Sequence, residues 1–177
     1  MSTVSSDALA KLNFKYSDES SFNNDAAGIT GSSDISVFHL NVRSLNKNSN
    51  DLYNFLTTLD LAFDVLVLSE IWNHNLELYS NLFAGYVFHY DCCATSHIGG
   101  IGVYVKDSFV CSIRDNLKLQ STEKNTVENI WIEINNGKCK YIIGALYRHP
   151  NQNIDDFTVA YFLMDDYLRL VSPTCHV

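Results

Sequence analysis

The stretch Asp64–Trp72, DVLVLSEIW, decides the fold. Val65, Leu66, Val67 and Leu68 form a short apolar run rich in β-branched residues, the pattern of a strand buried on both faces of a sheet. The run ends in Ser69 and Glu70, so a carboxylate sits where the strand surfaces. A carboxylate beside a core is costly unless it is hydrogen-bonded, paired or bound to a cation.

Upstream, Ile35–Leu40 reads as a first strand that runs out at Asn41. In Lys47–Asp60, Leu52, Phe55, Leu56 and Leu59 recur at i, i+3, i+4 and i+7, the apolar stripe of an amphipathic helix, with Asn48, Ser49, Asn50 and Asp51 available as caps. Strand, helix and strand in this order make a βαβ unit. The first two strands are therefore expected to be parallel and to end on one edge, with Asn41 near Glu70.

Downstream, the pattern predicts a short helix in Asn75–Leu82 and strands at Tyr86–Tyr90, Val103–Lys106, Phe109–Ile113 and Val127–Ile134. Asn135-Asn136-Gly137 then turns a hairpin into Lys140–Tyr147. Arg148–Asn151 breaks the pattern, and Ile154–Leu170 carries one continuous helical face through Phe157, Tyr161, Met164 and Leu168. Residues 1–33 are rich in Ser, Asn and Asp and read as a disordered leader with at most a short helix near Ala8–Leu12. Residues 34–171 form one α/β (α+β) domain, and 172–177 a tail.

The 177 residues carry a net charge of −8, which argues against a protein that binds nucleic acid through bulk positive charge. It does not exclude an enzyme that grips phosphate through a metal ion and a few polar groups. Five cysteines, an odd number without a CxxC, fit a reducing, intracellular compartment. No stretch is apolar enough to span a bilayer.

His39–Leu45 (HLNVRSL), DVLVLSEIW, Gly99–Lys106 (GGIGVYVK), Val127–Ile134 (VENIWIEI) and Ala145–Asn151 (ALYRHPN) occur in one order. Together they resemble the endonuclease/exonuclease/phosphatase superfamily, and most closely the apurinic-endonuclease-like domain of non-LTR (LINE-type) retrotransposons. The resemblance runs from about Ile35 to Leu170. It implies a four-layer α/β-sandwich, here only in part, and a Mg²⁺-dependent DNA endonuclease, with Mn²⁺ as a possible substitute. It further implies that Glu70 binds the metal and that Asn41 helps to arrange the metal shell and the scissile phosphate. Tyr147 is implied to reach that phosphate with its hydroxyl, and Arg148 and Asn151 to contact substrate. DNA is the implied partner, a reverse-transcriptase polyprotein the implied setting and the nucleus the implied location.

The superfamily's second half carries a GDFN-type strand end and an SDH-type closing motif, and neither occurs in these residues. The resemblance is thus to the front portion of the domain, with the groups that orient water and the closing histidine missing and a partner needed to supply them. A chain of this kind is expected to be inactive by itself. A non-catalytic binding remnant and a phosphatase of the same superfamily are the rival readings.

Other residues read more plainly. His89, Cys92, Cys93 and His97 are close in sequence, but adjacent cysteines on a strand face opposite ways, which argues against a zinc site. No Lys-Ser or Lys-Thr follows the glycines at 99–102, so they serve a tight turn rather than a P-loop. Glu128 reads equally as a site residue and as a solvated strand end. Trp72 and Trp131 read as core rather than as base-stacking platforms, and His149 as a turn residue rather than a contact to DNA phosphate.

Because apolar faces and strand edges of such a sandwich lack partners here, the purified chain is expected to show no sharp thermal unfolding transition. Differential scanning calorimetry checks this, and a single cooperative peak from monomer would contradict it.

Overall fold

A computed structural model describes residues 17–26, 35–72, 75–92, 98–119 and 127–149. The elements are α1 (Glu19–Ala26), β1 (Val37–Asn41), α2 (Leu45–Thr58), β2 (Val65–Ser69), β3 (Tyr86–Asp91), β4 (Ile101–Lys106), β5 (Val110–Ile113), β6 (Val127–Asn135) and β7 (Lys140–Arg148). Single 3₁₀ turns lie at Leu76–Tyr79 and Asp115–Leu117. The predicted helix at 154–170, together with Asn151, lies outside the described residues.

One sheet has the order β1-β2-β4-β3 and the other β5-β6-β7. As the βαβ pattern requires, β1 and β2 are parallel, with Asn41 opposite Ser69. The remaining pairs are antiparallel. All five residues of β2 are buried, because both its faces are covered. Val65 and Val67 join Val103, Val105, Ile130, Ile132, Ile134 and Ala145 in the core between the sheets. Leu66 and Leu68 pack with Tyr104 against Leu45 and Leu52 of α2 and against Leu76, Tyr79 and Phe83. Each such side chain contributes on the order of 2 kcal/mol by leaving water.

Asp64 ties the start of this layer together. It accepts hydrogen bonds from the backbone N–H and hydroxyl of Ser36 at 2.9 and 2.8 Å, and from Lys106 Nζ at 2.8 Å. Burial works against its charge, but the hydrogen bonds from Lys106 and Ser36 outweigh it and hold the carboxyl below its ordinary pKa.

Helix α2 begins two residues earlier than its apolar stripe suggests. Ser44, rather than a residue of Asn48–Asp51, is the N-cap and accepts from the Lys47 N–H. The segment read as a disordered leader includes α1. Ser21 N–H bonds to Asp18 Oδ1 at 2.8 Å, and Phe22 stacks on Phe63 at 5.9 Å, giving a short polar helix one aromatic anchor. Trp131 is buried as expected and lies flat on Gly144, where an added Cβ would come within 2.3 Å of the indole. Trp72 departs from the core reading: it is 40% exposed, with a φ of 49° at the turn after β2.

Asn129 is fully buried in β6. Its amide accepts from Leu119 N–H at 2.8 Å and Trp131 Nε1 at 3.2 Å, and donates to Leu119 and Val127 carbonyls at 3.1 and 3.0 Å. Replacing Asn129 with Ala removes these four bonds, at roughly 1–3 kcal/mol for each buried group left unsatisfied. Amide exchange at Leu119 is therefore expected to accelerate about tenfold or more by NMR, while exchange in β2 changes little.

Candidate active site

Side chains separated by 77 residues in sequence meet where β2 ends. By strand alternation Glu70 would face α2 with Leu66 and Leu68. It instead adopts a φ of 56°, which breaks the alternation, and its carboxylate Oε1 accepts a hydrogen bond of 3.3 Å from the Tyr147 hydroxyl. Tyr147 packs against the core between the sheets. Asn41 stands one strand away, exposed, its Oδ1 accepting from Arg43 N–H at 3.2 Å.

The turn that presents Glu70 is held on both sides by backbone. Val42, Ser44 and Leu45 donate to the carbonyls of Ser69, Glu70 and Ile71 at 2.9, 2.7 and 2.9 Å. On the other side, Ile71 and Trp72 donate to the carbonyls of Gly100 and Gly99 at 3.3 and 3.0 Å. Arg43, Ser44, Glu70 and Trp72 all have positive φ, a costly conformation for residues with a Cβ that persists only where surrounding bonds fix it. Gly99 and Gly100 turn at φ 101° and 83°, as the tight-turn reading expects.

Glu128 is not a solvated strand end. It is 4% exposed, accepts from Gly100 N–H at 2.5 Å, and lies 3.7 Å from His149 Nε2. His149 is not a simple turn residue either. Its ring meets Tyr147 edge-on at 5.0 Å, and its buried Nε2 has no hydrogen-bond partner. The signal for Glu128 was present in VENIWIEI, since period two puts Glu128 on the same side as the core residues Ile130, Ile132 and Ile134. Glu128 is also the cross-strand partner of Tyr147. The geometry therefore joins Glu70, Tyr147, Glu128 and His149 in one cluster beside Asn41. Arg148 bonds the His149 carbonyl through Nη1 at 3.2 Å.

Among the described residues no three His, Cys, Asp or Glu side chains converge as metal ligands, and no Lys or Arg pairs with Glu70. The Glu70 carboxylate and the Asn41 amide are both hard oxygen donors. Such a set suits Mg²⁺, which commonly takes one or two carboxylates and completes its shell with water and phosphate, and does not suit Zn²⁺. Of the residues weighed for zinc, Cys93 and His97 lie outside the described residues, and His89 instead contacts Cys111 Sγ at 3.5 Å.

Residues 38–162 match the model of the endonuclease/exonuclease/phosphatase family, and the chain belongs to that family. No curated protein is significantly similar to the chain. Among solved structures, TDP2 from C. elegans superposes with a TM-score of 0.59 at 15% identity, over 89% of this chain and 50% of that one. The mannosyl-6-phosphatase Bt3783 of Bacteroides thetaiotaomicron gives 0.53 at 11% identity, over 81% and 62%. The endonuclease domain of TRAS1, a telomere-specific non-LTR retrotransposon, gives 0.49 at 11% identity, over 72% and 52%. At these identities the likeness to the first two speaks to the fold alone, and this chain spans between 50% and 62% of the length of the three proteins.

Burial, then the charge of Glu70 and the hydrogen bond to it, then the charge of Glu128, push the Tyr147 phenol above the ordinary tyrosine pKa. The shift favours the protonated form. Glu70→Gln removes one of these charges and is expected to lower the Tyr147 pKa, measured by NMR titration of ring-labelled tyrosine. An unchanged value would separate the two groups in solution.

Proposed function

We propose that this chain supplies the metal- and phosphate-holding part of a Mg²⁺-dependent DNA endonuclease site of the non-LTR retrotransposon type. The observation that carries the reading is the contact between Glu70 and Tyr147 at the strand end beside Asn41, within a chain of the endonuclease/exonuclease/phosphatase family. The wording of the SEIW and YRHPN segments supports the retrotransposon type over a phosphatase.

Glu70 contributes the anionic oxygen that holds the ion. A divalent ion held there would supply Lewis-acid stabilisation of charge developing on the phosphate. The single Tyr147 O–H, which donates to Glu70 in this structure, would turn to a phosphate oxygen on substrate binding, and Asn41 orients the phosphate through its amide without competing for the ion's charge. Arg148 and Asn151 contact the DNA backbone nearby. Because the chain is acidic overall, binding rests on these few groups rather than on general charge attraction.

No GDFN- or SDH-type segment occurs in the 177 residues. The groups that activate water and complete the phosphate site therefore come from further sequence or another chain, with a reverse-transcriptase polyprotein as the setting. Catalytic groups that act as a unit are strongly non-additive. With Mg²⁺ and supercoiled plasmid, the 177-residue chain is expected to nick about 10³-fold or more slowly than a longer version carrying both motifs. Glu70→Ala should abolish nicking by the longer version. Equal rates from the short and long chains would refute the incomplete site, and a longer chain that cleaves only small phosphate esters would install the phosphatase reading instead.

A further inference from the structure

Glu128 is a buried carboxylate that the proposed chemistry does not use. It lies on the inner face of β6, 4% exposed, and its Oε2 takes the Gly100 N–H at 2.5 Å. Gly99 and Gly100 are the residues whose carbonyls hold Trp72 and Ile71 from behind. Glu128 thus reaches Glu70 through two layers of backbone: it fixes the glycine turn, and the glycine turn fixes the left-handed segment from which Glu70 projects.

The space around the carboxylate is tight. A Cβ on Gly99 would meet Glu128 Oε2 and His149 Cε1, each at 2.6 Å, and a Cβ on Gly100 would meet Ile71 Cγ1 at 2.6 Å. Side chain and turn are therefore fitted to one another, with no slack for a water between Glu128 and the Gly100 amide. His149 Nε2, 3.7 Å away, stands at ion-pair rather than hydrogen-bond distance. The amide is thus a short-range contact through which Glu128 holds the glycine turn.

We infer that Glu128 is a positioning residue for the metal-holding carboxylate, acting through its hydrogen bond to the Gly100 amide. The inference rests on the proposed role of Glu70. Without this bond the glycine turn relaxes, Ile71 and Trp72 lose their fixed acceptors, and Glu70 is no longer confined to one orientation. Groups that orient a metal ligand from behind commonly change affinity 10- to 100-fold when altered.

Two conservative variants separate reach from charge. Glu128→Gln keeps an oxygen acceptor of the same length and removes the charge. Glu128→Asp keeps the charge and withdraws the oxygen by one methylene from the amide. Mn²⁺ binding by the longer version that carries both second-half motifs is read from loss of the free-ion EPR signal, with Glu70→Ala in the same version as reference and circular dichroism verifying that each variant keeps the parent's secondary structure.

Glu128→Asp is expected to weaken Mn²⁺ binding about tenfold, and Glu128→Gln to stay within about threefold of the parent chain. Both variants binding like the parent would overturn the inference. So would the opposite order, because charge rather than the amide bond would then set affinity. If Glu70→Ala binds Mn²⁺ as the parent does, the proposed role of Glu70 fails and the positioning role falls with it, an outcome distinct from a failure at Glu128 alone.

Discussion

The structure depends on backbone hydrogen bonding that continues past the end of β2. A strand that leaves a core normally hands its N–H and C=O groups to water. Here the carbonyls of Ser69, Glu70 and Ile71 take the N–H groups of the Val42–Leu45 turn, while the N–H groups of Ile71 and Trp72 go to the glycine turn. The segment is thereby held from both sides although it is no longer strand. That restraint is what allows Glu70 a left-handed conformation and delivers its carboxylate to the side where Tyr147 stands.

The two ends of β2 carry different kinds of carboxylate. Asp64, at the start, is saturated by Ser36 and Lys106 and ties three strands together. Glu70, at the finish, has a phenol as its hydrogen-bond donor and no basic side chain paired with it among the described residues. One is tied to neighbouring strands of its own sheet, while the other meets the Tyr147 phenol of the second sheet. The apolar residues of β2 keep the two carboxylates apart.

Much of this was legible in the sequence where the signal is local. An uninterrupted apolar run marked β2 as covered on both faces, a helical stripe between two strands made β1 and β2 parallel, and Asn135-Asn136-Gly137 set the β6–β7 hairpin. The insertion of β4 between β2 and β3 was not legible, because hydrophobic alternation gives each strand a face but no neighbour. The Tyr147–Glu70 contact spans 77 residues in sequence, so only the resemblance to a family brought them together. Period two in VENIWIEI put Glu128 on the core side of its strand, but its hydrogen bond to the Gly100 amide was not legible, because no side-chain pattern announces a backbone partner. Trp72 was misread because an apolar residue after a buried strand looks like core, whereas the reversal of φ at the turn turns it outward. Helix α1 was missed because a single aromatic anchor is too weak a signal in a polar stretch.

The packing of Trp131 on Gly144 has a consequence for how the chain can drift. The indole fills the volume that any side chain at 144 would need, on the strand next to its own. Residue 144 can gain a methyl only after residue 131 has become smaller, and a smaller residue 131 leaves a hollow that favours gaining it. The two sites are thus bound to co-evolve through an ordered pair of steps, and descendants that keep the tryptophan should keep the glycine.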